Sequence, residues 1–218
     1  MELRILSVNV SKPKIIALAN GEPVLSGIAK RPLGIANVFV SALNIDGDGQ
    51  ADLSVHGGFD KAVYAYSAAD WPWWEREHSI ACAPGTFGEN LTLDGVDDSQ
   101  IAIGDRFVWG ECELEVAQPR SPCFKFNIHT RREDAALLMT QSGRCGFYLR
   151  VTREGHAPVD GAELHHSFAS HGPSVRETFL AAHDPQFSQA RRAEIMRAPR
   201  LADSWRFSLA KRLRSAPN

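Results

Sequence analysis

Up to about Phe168 the apolar positions recur in short runs, often at every second residue, the period of a strand with one face buried. Leu3, Ile5 and Val8 mark the first run, between Glu2 and Val10, and Lys14 to Leu18 forms the next. Asn20-Gly21 follows as a type I′ hairpin signal, because both positions tolerate positive φ. Phe107 to Ala117 reads as a strand pair turning at Gly110-Glu111. Cys112, Leu114 and Val116 share one of its faces and Glu111, Glu113 and Glu115 the other. Phe147 to Thr152 and Gly161 to Ser167 predict two more strands around a loop containing Gly and Pro. Two helices interrupt them. One runs from Ala68 to His78, with Ser67 and Asp70 as a capping box, and the other from Arg131 to Ser142, with Gly143 as C-terminal cap. The pattern predicts a mostly β (α+β) fold with a closed or sandwich-like sheet.

After Gly172-Pro173 the period becomes helical. Ser174-Val-Arg-Glu177 opens a helix to about Ala182, Ser188 precedes a second to about Arg197, and Asp203 caps a third in which Trp205, Leu209 and Leu213 share a face. The expected division is a β domain over 1–170 and a three-helix segment over 171–218, packed on the barrel because it is too small to fold alone. Charge divides likewise: from Ser174 onward nine Lys/Arg stand against four Asp/Glu, in a chain of net charge −2. A helix-turn-helix reading of this tail is set aside, since Arg197-Ala-Pro199 follows its second helix where a short turn is needed. No apolar run approaches the roughly 20 residues of a membrane span, and MELRILSVNV reads as a strand and not a signal peptide, so a cytoplasmic protein is expected. The cysteines, Cys82, Cys112, Cys123 and Cys145, include no CxxC pair, which argues against a structural zinc site or an iron–sulfur cluster.

The candidate chemistry centres on Cys123. In Ala117-Gln-Pro-Arg-Ser-Pro-Cys123-Phe-Lys125, Pro119 and Pro122 stiffen the loop, and Arg120 and Lys125 flank the thiol. Nearby cations raise the thiolate fraction, giving a nucleophile or a soft-metal ligand; a small buried hydrophobe is the competing reading. Cys112 is read as core and Cys82 as a loop residue, with Cys145, after Arg144, a weaker second candidate. Val55-His56-Gly57-Gly58-Phe-Asp60-Lys61 puts a His and a Lys around a glycine pair, and Gly85-Thr-Phe-Gly88-Glu89-Asn90 is a second glycine-spaced turn. Such turns offer backbone N–H groups to an anion, although each alone is only a polar turn. Asp46-Gly-Asp48-Gly-Gln-Ala-Asp52 lacks the glycine and glutamate of an EF-hand and is read as a turn into Leu53-Ser-Val55. The Trp71-Pro-Trp73-Trp74 cluster is read as helix-to-barrel packing.

Three of these runs, Val55-His-Gly-Gly58 with Lys61, Gly85-Thr-Phe-Gly-Glu-Asn90 and Pro119-Arg-Ser-Pro-Cys123-Phe-Lys125, together resemble the MOSC family, the domain named after the C-terminal part of molybdenum cofactor sulfurases. The likeness is nearest to its YiiM-like branch, which the three-helix tail also fits, and it covers nearly the whole chain. It implies a β-barrel-like domain that binds the molybdenum cofactor (molybdopterin), with Cys123 as metal ligand. His56, Lys61, Asn90 and Arg120 carry over as pocket residues, and Lys30 in Gly27-Ile-Ala-Lys30 matches a basic position less firmly. Gly57, Gly58 and Lys125 complete the cofactor-binding set.

The resemblance further implies a reductase of N-hydroxylated bases or related compounds, a detoxification chemistry. His56 or Lys61 would supply a proton to the leaving oxygen or would equally hold phosphate. Without a cluster or nicotinamide motif, electrons are expected from an external reductase, for which the basic tail is a possible dock or else a solvated cap. The alternative is a cofactor or sulfur carrier without turnover. A pyridoxal-phosphate site on Lys30, Lys61 or Lys125 ranks below both, since no lysine sits in a recognisable motif for it.

Overall fold

Leu3, Ile5 and Val8 are buried while Glu2 and Arg4 face solvent, and this alternation makes the first strand. The structure, a computed structural model, describes residues 2–52 and 57–214. Its strands begin with β1 (Glu2–Val10), β2 (Lys14–Ala19), β3 (Glu22–Ser26), β4 (Arg31–Pro32), β5 (Asn37–Val40) and β6 (Val63–Ser67). Helix α1 (Trp71–His78) and strands β7 (Leu91–Leu93), β8 (Arg106–Trp109) and β9 (Cys112–Pro119) follow. Next come α2 (Phe124–Thr130), α3 (Ala135–Ser142), β10 (Phe147–Arg153), β11 (Gly155–Pro158) and β12 (Glu163–Phe168). Helices α4 (Val175–His183), α5 (Gln189–Met196) and α6 (Asp203–Arg214) form the tail.

Seven strands close into a barrel in the order β1-β12-β8-β9-β10-β6-β7, with β7 returning to β1 and β4 added beside it. Every neighbouring pair in the ring is antiparallel except β6–β7. A parallel pair cannot be joined by a hairpin, so residues 68–90 cross over between them, carrying α1 and the Gly85 turn. Leu91, Phe107, Trp109 and Phe147 share the inner face of the barrel, and Tyr66 lies on the other face of β6; none of them is in contact with solvent. Trp74 plugs α1 onto this core and donates its indole N–H to the Tyr66 hydroxyl at 2.6 Å, as the tryptophan cluster predicts.

The predicted hairpins form. Asn20 and Gly21 both adopt positive φ between β2 and β3, and Trp109 pairs with Cys112 across the β8–β9 turn. Four expectations are corrected. Ser67 accepts a hydrogen bond from Ala69 N, but Asp70 ion-pairs with Arg144 instead of completing a capping box. The helix expected over Arg131–Ser142 starts late, at Ala135 (α3), because Arg131, in the left-handed conformation, caps the end of a separate helix, α2, that the sequence did not predict. The loop expected near Pro158 contains β11, paired with β5. Glu115 lies on the predicted polar face of β9 yet is buried, because Arg106 and Arg150 hold it at 2.9 and 2.8 Å. Leu53-Ser-Val55, into which the Asp46–Asp52 turn is expected to lead, and His56 fall outside the described residues.

The tail is sewn into the barrel. Val175 N donates to Ile101 O at 2.8 Å, and Ala202 N donates to Ala117 O at 3.0 Å. Val175, Phe179, Ile195, Trp205 and Leu209 belong to the same continuous apolar cluster as the barrel residues. Capping by Ser174 and Ser188 is as predicted, each side chain accepting from the backbone N–H three residues on. No helix among the described residues is long and apolar enough to cross a membrane.

Candidate functional site

Strand β9 ends at Pro119, and the chain then passes Arg120 and reaches Cys123 at the start of α2. A cleft of about 660 Å³ opens there, and Lys30, Lys61, Asn90, Arg120, Cys123 and Lys125 all line it. Residues far apart in sequence therefore meet at one thiol. Four cationic side chains and no Asp or Glu are found among the described residues lining this cleft. Gly57 and Gly58 are not among them; Gly58, at φ 101°, instead caps the short turn Phe59–Lys61 that carries Lys61.

Arg120 is 6% exposed. Its guanidinium lies 5.3 Å from the ring centres of both Tyr64 and Phe126, and Nη1 donates to Met139 Sδ at 3.1 Å. Among the described residues no carboxylate comes within ion-pair distance of it. A guanidinium is always charged, so this group is a buried cation facing a cleft without a protein counter-ion.

Lys30 is held differently. Its ammonium pairs with Asp48, whose carboxylate also accepts from Ser11 N at 2.8 Å and Asn90 Nδ2 at 2.9 Å. Burial lowers the Lys30 pKa while Asp48 opposes that shift. Asn90 is the knot of the arrangement: Nδ2 also donates to Asn9 O at 3.1 Å, and Oδ1 accepts from Tyr64 N at 3.1 Å. Both amide hydrogens are committed, so Asn90 positions Asp48 and Lys30 and has none left for a ligand. Gly85 lets the Lys30 backbone approach: at its φ of 86°, a Cβ would lie 2.6 Å from Lys30 O. Lys61 is half-buried, which lowers its pKa against the raising effect of Asp60.

Cys123 is the half-buried thiol in the cleft. Burial, with Glu75 adding to it, pushes Cys82 up to about 12. Burial and Glu111 push Cys112 up to about 11. Cys145 rises well above the usual thiol range through burial and the adjacent Asp98. Burial thus favours the thiol form of those three, none of which lines the cleft, and Cys123, which does, is the candidate ligand or nucleophile. Cys145, the second candidate by sequence, is fully buried behind the site.

The MOSC-domain pattern matches residues 52–162 of this chain. The chain belongs to the MOSC-domain family. That family is associated with the molybdenum cofactor, and the matched segment carries Lys61, Asn90, Arg120, Cys123 and Lys125. A Bacillus subtilis (strain 168) protein, uncharacterized YflK, is 38% identical over 210 residues, covering 95% of this chain and 93% of its own. The crystal structure of YiiM from Geobacillus stearothermophilus aligns with a TM-score of 0.79 at 31% identity, covering 97% of this chain and 99% of that one. The YiiM-like branch is therefore the right one. A Gibberella moniliformis (strain M3125 / FGSC 7600) protein named a reductase is 36% identical over 123 residues, which are 55% of this chain and 22% of that protein.

Sequence reasoning missed Asp48, which looked like one acid of a solvated Gly-rich turn. It also missed Tyr64 and Tyr148, which line the MOSC cleft from strands β6 and β10; β6 is buried at every position, so no alternation singled Tyr64 out.

The donor set fits the molybdenum cofactor. A phosphate-bearing pterin needs cations free of internal counter-ions, and a soft metal needs a thiolate. Arg120 and Cys123 meet those needs from opposite ends of one short loop.

Proposed function

We propose that the chain is a molybdenum-cofactor-dependent oxidoreductase that reduces N-hydroxylated bases or related compounds, with electrons from a separate reductase. The observation that carries this reading is the cleft in which four cations and one thiol converge without a carboxylate among the described lining residues. Membership of the MOSC family and the partial match to a fungal reductase support it. When bound, the cofactor supplies the two-electron redox change.

The chain's own residues do the rest. Cys123 anchors the metal through its sulfur. Arg120 and Lys125 hold the phosphate end, Arg120 most strongly because its charge is desolvated and has no carboxylate partner among the described residues, while Lys30, already paired with Asp48, shapes the cleft beside them. Lys61 borders the thiol; its burial-lowered pKa makes Nζ a better proton donor than a surface lysine, and it would deliver a proton to the departing hydroxyl oxygen. His56 shares that role or binds phosphate. The balance is one N–OH group plus two electrons and two protons giving N–H and water. The four free thiols suit the reducing cytoplasm.

The test is molybdenum content by mass spectrometry, on wild type and Cys123→Ser from a host that makes the cofactor. Near-stoichiometric metal in the wild type, lost in the variant, is expected, together with reduction of an N-hydroxylated purine by a chemical donor. A metal-free wild type, in a host whose other molybdoenzymes are loaded, overturns the reading.

A further inference from the structure

Cys123 does not close the end of the cleft; it stands in a wall shared by two cavities. Lys61, Ser121, Cys123 and Tyr148 border both. The second cavity, about 740 Å³, opens toward the helical tail, and its far wall is His183 of α4 with Ser204, Trp205 and Ser208 of α6. Its chemistry is unlike that of the first. Apart from the shared Lys61, the polar side chains along the described part of this cavity carry no formal charge in their usual forms: the Gln118 amide, serine hydroxyls, the Tyr148 phenol, the Cys123 thiol and an imidazole. His183 packs 4.3 Å from the Phe179 ring and 6.1 Å from Trp205. Burial and then Arg212 lower its pKa, so it stands as a neutral hydrogen-bonding ring at neutral pH.

The far wall is fixed to the thiol loop and not merely near it. Ser204 Oγ donates to Gln118 Oε1 at 3.1 Å, and Ala202 N donates to Ala117 O at 3.0 Å. Gln118 and Ala117 lie in β9, the strand that leads into Cys123. The tail is thereby held at a set distance from the sulfur, as a substrate wall must be to orient a reacting group.

We propose that this second cavity is the substrate subsite. It takes an uncharged, planar, hydrogen-bonding N-hydroxylated molecule between the thiol and the tail, and α4 and α6 decide which molecule fits. This rests on the function proposed above. One chamber with a surplus of cations and another lined by neutral donors and acceptors suit two ligands of different charge meeting at one residue. The Tyr148 and Trp205 rings supply flat apolar surface for such a molecule.

The experiment fills the cavity from the tail side. Ser208→Trp and Ser208→Ala, at an exposed position of α6, are purified with wild type from a host that makes the cofactor. Molybdenum content, melting temperature, and the calorimetric Kd for an N-hydroxylated purine are measured on each. The Kd is measured on both metal-loaded and metal-free protein, and KM and kcat are taken where turnover occurs. Ser208→Trp is expected to keep its metal and melting temperature, and to raise Kd and KM about tenfold or more, with kcat changed less. Ser208→Ala is expected to stay within about threefold of wild type. Unchanged binding in Ser208→Trp, loss of its metal, or no purine binding by wild type would each overturn the subsite. A metal-free wild type would sink the cofactor reading instead, while the Kd shift on metal-free protein would still decide the subsite.

Discussion

Arg120 and Lys30 are both buried cations at one cleft, yet they make opposite demands on the fold. Lys30 is neutralised by Asp48, whereas Arg120 meets aromatic faces, a thioether and the Tyr148 hydroxyl, with no carboxylate among the described residues. Burying a charge without a counter-ion costs stability, and replacing it with an apolar group of similar length is often neutral or stabilising. Arg120→Met should therefore lose molybdenum while leaving the metal-free protein as stable as wild type, or more so. Metal analysis beside scanning calorimetry checks both halves, and a large drop in melting temperature would contradict the uncompensated state of Arg120. Asp48→Ala should behave in reverse. It strands the Lys30 ammonium and is expected to cost on the order of 3–5 kcal/mol by denaturant unfolding. Adding Lys30→Met should recover much of that loss. At this scale Cys123 and Arg120 were legible, because their chemistry is written in adjacent residues. Asp48 was not, because its partner Lys30 lies eighteen residues away and an acid in a Gly-rich turn looks solvated.

Two buried carboxyls fasten the elements around the site. Glu89 accepts from Gly85 N at 2.7 Å, Phe87 N at 2.9 Å and Thr92 Oγ1 at 2.8 Å, setting the turn ahead of β7. Asp98 accepts from Gly146 N at 2.9 Å and Cys145 N at 3.2 Å, setting the entry to β10. Burial raises both, Glu89 to about 7 and Asp98 to about 6, against the lowering effect of these donors. A carboxyl whose pKa is higher folded than unfolded keeps its proton longer in the native state. Its contribution to stability is complete below the unfolded pKa and is lost as pH rises through the folded one. The melting temperature should consequently fall between about pH 4.5 and pH 7. Thermal melts across that range should show a shallower fall for Glu89→Gln than for wild type; parallel profiles would contradict the shift. Among the elements, helix α2 escaped the sequence reading because the residue at its N-cap, Cys123, makes no side-chain cap, so no start signal was visible. Strand β11 escaped because Gly155 and Pro158 bound a four-residue strand and both residues usually break one.

At the scale of the whole molecule, the barrel and tail share one core, and three helices were legible in the tail from their caps. That α4 and α6 would wall a cavity beside Cys123 was not, since no periodicity reports which barrel edge a helix meets. A chain cut after Gly172 would leave Ile101 O and Ala117 O without their tail donors and expose the surface covered by Phe179 and Trp205. It is expected to lose cooperative unfolding, read by near-ultraviolet circular dichroism and calorimetry, and a sharp transition in the truncated chain would contradict the shared core.

The barrel seam sets a timetable for the molecule's birth. β1 is made well before both of its ring neighbours: β4 and β7 can cover one edge once residue 93 has emerged, but the edge that β12 covers stays open until residues 163–168 are made. Pairing across such sequence distances is slow to form and exposes strand edges in the interval. The cleft inherits this delay, for its walls run from Ser26 to Tyr148 and the adjoining cavity from Lys61 to Ser208. Nothing that needs both chambers can settle on a nascent chain, and assembly of a working centre falls to the finished protein.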